Sequence, residues 1–126
     1  VLFQSNATNL VSGVSDGSNT VDVFLYQRST GTVSLVSRSA ASPTTTANNT
    51  SIPYALSADG EWVLFASEAT NLVSGVTDGN STDDAFVFQR STGTVSLISH
   101  LPASTTTANG NSEPTAISGD GEWVLF

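Results

Sequence analysis

"DGEWVLF" occupies residues 59–65 and returns unchanged at residues 120–126, and the chain opens at Val1-Leu2-Phe3 on the last three letters of that stretch. A stretch that recurs at a fixed interval marks one structural position used more than once. "ATNLVSGV" at Ala7–Val14 reappears at Ala69–Val76, and "QRSTGTVSL" at Gln27–Leu35 reappears at Gln89–Leu97, each 62 residues on. "TTTAN" at Thr44–Asn48 and the stretch from Ser57 to Phe65 recur 61 residues on, which makes Pro43 the extra residue of a variable loop. The chain therefore reads as two tandem repeats of about 62 residues.

Within one repeat the punctuation is that of strands and turns. Pro53–Ser57 is a short apolar run closed by Ala58-Asp59-Gly60, and an Asp-Gly step signals a hairpin because Gly accepts positive φ without steric cost. Trp62–Phe65 is the partner strand, followed by the polar loop "SEATNLVSGVTDGNST" (67–82). "DAFVFQR" (Asp84–Arg90), the turn "STG" and "TVSLIS" (Thr94–Ser99) supply two more strands, and no segment carries a helical period. Each unit is predicted to be a four-stranded antiparallel meander, with strands a to d.

Both faces of that sheet are apolar. Val63 and Phe65 oppose Trp62 and Leu64 across one strand, and Phe86 and Phe88 oppose Ala85 and Val87 across the next. A sheet with one wet face alternates apolar with polar, so these sheets need a neighbour on each side. Radially stacked β-propeller blades supply two neighbours, and a two-sheet sandwich does not. The predicted fold is all-β, with residues 1–52 an incomplete blade (b-c-d), 53–113 a complete blade with its linker, and 114–126 the start of another (a-b). At roughly 25 cal/mol per Å² of apolar area, leaving Trp62, Phe86 and Phe88 wet forfeits several kcal/mol, so a lone chain is not expected to be the working form.

Composition narrows the partners. The basic residues are Arg28, Arg38 and Arg90, with no Lys, against 11 acidic residues and a net charge of -8. Phosphate binding by counterion release has almost nothing to work with, so neither nucleic acid nor anionic membrane is an expected partner. The longest apolar run, Trp62–Ala66, is far below the ~20 residues that span a bilayer, so no membrane insertion is expected. There is no Cys, and the missing initial Met suggests a piece of something longer.

"PYALSADGEWVLFASEATNLVSG" and "DAFVFQRSTGTVSLIS" resemble the repeats of TolB-type β-propellers: Pro, a Ser-x-Asp-Gly hairpin, an aromatic-rich strand, then an apolar strand ending in a Thr-Gly turn. The chain is similar to the subgroup carrying an "ATNLV-x-G" loop and then an Asp before an aromatic strand, here Asp22-Val23-Phe24 and Asp84-Ala85-Phe86. The resemblance covers essentially the whole chain, twice, and implies the propeller fold. Members of that family often carry an acidic residue near the end of strand c, where this chain departs from the pattern with Gln27 and Gln89. Propellers host enzymes, receptors and scaffolds alike.

Nothing marks an enzyme. His100 is the single His, its counterpart in the first repeat is Arg38, and there is no Gly-x-Ser-x-Gly elbow. Glu61 and Glu122 follow Asp-Gly and read as turn charges rather than a hydrolytic pair. The b-c loops gather hard oxygen donors on Gly-containing segments: Asp16, Asn19 and Asp22 in the first repeat, Asp78, Asn80, Asp83 and Asp84 in the second. Two readings stay open, a Ca²⁺ site, which wants such donors, and turns in which Asp and Asn bond their own backbone. Asn6, Asn48, Asn49 and Asn80 head N-glycosylation sequons, and two Thr-rich loops resemble O-glycosylated stretches. A Lys-free, hydroxyl-rich surface suits either a sugar-coated extracellular or cell-surface protein, or polar loops that stay soluble without modification.

The expected function is structural: an extracellular repeat module joining copies of itself, or neighbouring repeats, head to tail into a fibre or ring by strand complementation. Val1, Leu2, Phe3 and Trp62 at one position, and Trp123, Val124, Leu125 and Phe126 at the other, are the expected assembly residues. The alternative is a propeller binding module whose long b-c loops hold a glycan or a peptide.

Overall fold

A computed structural model describes all residues, 1–126. Nine strands form in chain order: β1 (Leu2–Ser5), β2 (Asp22–Gln27), β3 (Thr32–Leu35), β4 (Ser51–Leu56), β5 (Trp62–Ser67), β6 (Asp84–Gln89), β7 (Thr94–Leu97), β8 (Ala116–Ile117) and β9 (Val124–Leu125). They make three antiparallel sheets, β1-β2-β3, β4-β5-β6-β7 and β8-β9. There is no helix, and so none long and apolar enough to cross a membrane.

The repeat in the sequence is a repeat in register. Phe3 lies opposite Phe24 and Phe65 opposite Phe86, and the two ring pairs stack alike, with centroids 5.7 and 5.6 Å apart. Parallel bridges join Ser15 to Thr45 and Thr77 to Thr106; antiparallel bridges join Arg38 to Thr46 and His100 to Thr107. The interval between matching residues drops from 62 to 61 between Arg38 and Thr45, which places the extra residue in the loop that contains Pro43.

Each Asp-Gly hairpin is built from its own side chains. Ser57 Oγ donates to Asp59 Oδ1 at 2.6 Å and accepts from the Trp62 N–H at 2.9 Å, while Gly60 turns the chain at φ 73°. Ser118, Asp120, Trp123 and Gly121 repeat the arrangement. Residues 57–61 separate the two strands, so the connection is longer than the two-residue turn that Asp-Gly most often makes.

Strand β4 begins at Ser51, two residues ahead of the expected Pro53. Ser51 and Ser67 are both buried, with hydroxyls 2.9 Å apart, so paired polar groups extend the strand where apolar patterning is silent. Pro53 has no N–H to donate, and the β4–β5 register shifts between Pro53 and Ala55.

The core lies between the first two sheets. Val23 and Leu25 of the first meet Val63, Phe65, Phe86 and Phe88 of the second, with Val36, Ala47, Ala69 and Leu72 from the connecting segments. The other face of β5 is buried as well, at Leu64 and Ala66, and β8 packs across β4 and β5. This corrects one expectation: the chain covers Phe86 and Phe88 with its own first sheet and leaves neither wet. The large apolar exposure sits mainly at the ends, at Val1 and at Trp123 (78%), Leu125 (66%) and Phe126 (57%).

Candidate functional site

Two of the b-c loop carboxylates, Asp16 and Asp78, accept backbone N–H groups of their own loops. Asp16 Oδ1 accepts the N–H groups of Ser18 and Asn19, both at 3.2 Å, and Asn19 takes φ 53°. Asp78 does the same for Asn80 at 3.0 Å and Ser81 at 3.1 Å, with Ser81 at φ 54°. These are turns in which the carboxylate replaces a backbone acceptor. No group of three or more carboxylate or imidazole side chains is arranged to hold a metal ion.

Asp22 and Asp84 play a different part. Both start a strand and are buried, and each accepts one Ser hydroxyl: Ser37 Oγ at 2.7 Å and Ser99 Oγ at 2.9 Å. The same hydroxyls accept the next N–H along, Val23 and Ala85, both at 2.9 Å. Burial pushes Asp22 up to about 6, against the hydrogen bond from Ser37 and with a push from Asp16; burial raises Asp84 and Asp83 too. The sequence signal for this pair was an Asp and a Ser keeping the same separation in both repeats.

Of the sequon residues, Asn6 is exposed on the loop after β1. Asn48 Nδ2 donates to Thr70 Oγ1 at 2.8 Å, Asn49 Oδ1 accepts the Thr50 N–H at 2.8 Å, and Asn80 Nδ2 donates to Ala108 O at 2.8 Å. His100 is exposed, with Nδ1 2.9 Å from Leu101 O. Its counterpart Arg38 does something the sequence did not announce. It reaches from the first sheet to the second, donating to Gly93 O with its guanidinium over the Phe88 ring, 5.0 Å from the centroid.

Glu61 ties β5 to the end of β6. It accepts the Ser91 N–H at 3.0 Å and faces Arg90 at 3.5 Å, and hydrogen bonding from Ser91, its side chain before its backbone, holds the carboxyl below the usual range. Arg90 in turn donates through its backbone to Glu61 O and through Nε to Gly60 O, each at 2.8 Å.

The first and third sheets repeat parts of the second. β1 pairs with β2 on one edge only, whereas its counterpart β5 carries β4 on the other. Val1 continues the β1 edge, its ammonium donating to Tyr26 O at 2.7 Å. β8 is a counterpart of β4, and its pairing of Ala116 with Leu125 and Ile117 with Val124 repeats that of Ala55 with Leu64 and Leu56 with Val63. No protein-family model, curated protein or solved structure matches this chain.

Proposed function

We propose that this chain is an assembly module, a TolB-like β-propeller repeat that joins copies of itself or neighbouring repeats head to tail outside the cell, with no catalytic role. The observation that carries this reading is a contrast between equivalent residues. Leu64 and Phe65 are buried against the rest of the chain, while their counterparts Leu125 and Phe126, with Trp123 beside them, stand in solvent. Large exposed apolar groups favour a partner, a further repeat or another copy, and an unpaired strand edge offers the backbone hydrogen bonds to hold one. Such a contact uses two different surfaces, so it gives a ring where the rotation closes and a fibre where it does not. Stacking of one sheet's apolar face on the next, as in the core here, supports blades in series. The extracellular setting rests on the hydroxyl-rich, Lys-free surface and the exposed Asn6 sequon.

Sedimentation velocity across a wide concentration range, with electron microscopy of the same samples, tests the reading. Oligomers or fibres that grow with concentration are expected; a monomer at every concentration overturns it.

A further inference from the structure

Of the three arginines, Arg28 and Arg90 are exposed and Arg38 is half-buried, at the junction between the first two sheets. Arg90 faces Glu61, but no carboxylate lies within ion-pair distance of Arg38. Burial pulls its guanidinium below the usual range, with no opposite charge to hold it up. Most of its donors are also unspent: a guanidinium carries several N–H groups in a planar fork, and the bond from Nη2 to Gly93 O is the one hydrogen bond this side chain makes. Gly93 turns at φ 70°, and a Cβ there would strike the guanidinium, so bare backbone is what lets Arg38 reach across the junction.

Beside Arg38 opens a cleft of about 430 Å³, a size that holds a small ligand. It is walled by the β1–β2 loop, β3, the connection from β3 to β4, and the end of β6 with the turn that follows. Ser12, Ser34 and Thr44 are exposed there, and Phe88 and Arg90 line the cleft with Arg38. Two of the three cations in a chain of net charge -8 therefore border one cleft.

We propose that this cleft binds an acidic sugar, the Arg38 guanidinium taking the carboxylate of a uronate while the hydroxyls of Ser12, Ser34 and Thr44 meet its ring hydroxyls. The site is independent of assembly and serves a single chain equally well. A charge drawn partly out of water and left unpaired is costly, and an incoming anion offsets that cost. The part of the fork not bonded to Gly93 O matches the two oxygens of a carboxylate. The net charge of -8 opposes a dianion or a polyanionic strand more strongly than a monoanion, which favours a uronate over a phosphate ester. The second repeat carries no such group: His100 replaces Arg38, with Nδ1 2.9 Å from the backbone oxygen of its own neighbour Leu101.

Titration of the intact, isotope-labelled chain with glucuronate, followed by NMR, tests the site. Saturable shifts at the Arg38 Nε–H and at the amides of Ser12, Ser34 and Thr44 are expected, at the millimolar affinity of a few polar contacts. Glucose, which lacks the carboxylate, and acetate, which lacks the ring, bind about tenfold more weakly or less. Arg38→His, which installs the residue of the second repeat, lowers glucuronate affinity about tenfold, with far-UV circular dichroism checking the fold. Arg38 also joins two sheets, so Ser34→Ala, at an exposed position, gives a second measure: glucuronate affinity falls about threefold and acetate affinity stays unchanged. No shift in the cleft up to ~50 mM glucuronate, or shifts that persist unchanged in a folded Arg38→His chain, overturns the site. An equal response to glucose or to acetate, or an unaltered affinity in Ser34→Ala, overturns the sugar as its ligand.

Discussion

At the scale of the residue, Asp22 is the most informative side chain. It is 1% exposed and its carboxyl is pushed from an ordinary 3.8 to about 6 by burial, so the folded chain holds its proton more tightly than the unfolded one. The sign follows: stability from this group is greatest at low pH and falls as pH climbs from about 4 to 6, because the unfolded state gives up its proton first. By pH 7 the cost approaches 3 kcal/mol at most, at 1.36 kcal/mol per pH unit. Asp22→Asn, which keeps an acceptor for Ser37, is expected to raise stability at pH 7 and to flatten the slope between pH 4 and 6 in urea melts. The sequence offered Asp22 and Asp84 as metal ligands or turn formers because oxygen donors in a Gly-rich loop look alike in either role. What separates them from Asp16 and Asp78 is burial at the first residue of a strand, a tertiary property that residue type does not encode.

At the scale of the element, the strands and hairpins were legible because alternation and Asp-Gly punctuation are local. Their ends were less so: the Ser51–Ser67 hydroxyl pair lengthens β4 with residues that an apolar pattern leaves out. The Ser-x-Asp-Gly hairpin depends on one hydroxyl that both donates and accepts. Ser57→Ala leaves the half-buried Trp62 N–H without its acceptor and frees Asp59, a loss of about 1–2 kcal/mol by thermal or urea unfolding. The expected cost of Ser118→Ala is smaller, since Trp123 and its N–H lie in solvent and water replaces the lost acceptor.

At the scale of the whole molecule, the sequence showed that both faces of each sheet want cover but not which sheet covers which. The face of the second sheet that bears Phe65, Phe86 and Phe88 is taken up by the first sheet, and only the packing of the folded chain reveals it. This makes the core a shared property of two repeats. Phe86→Ala is expected to cost about 3–5 kcal/mol and to unfold both sheets in one transition, seen as coincident loss of circular dichroism and tryptophan emission. Phe24→Ala, at the matching position of the first sheet but outside the ten-residue core, is expected to cost less.

The d-to-a connection around Pro43 bears on how such a chain tolerates editing. One repeat carries an additional amino acid there and its twin does not, yet the bridges on either side of it, Arg38 to Thr46 and His100 to Thr107, form alike. That stretch is slack in an otherwise tightly indexed polypeptide. Foreign sequence such as an epitope or a reporter belongs there, where a change in length is absorbed before it reaches a strand.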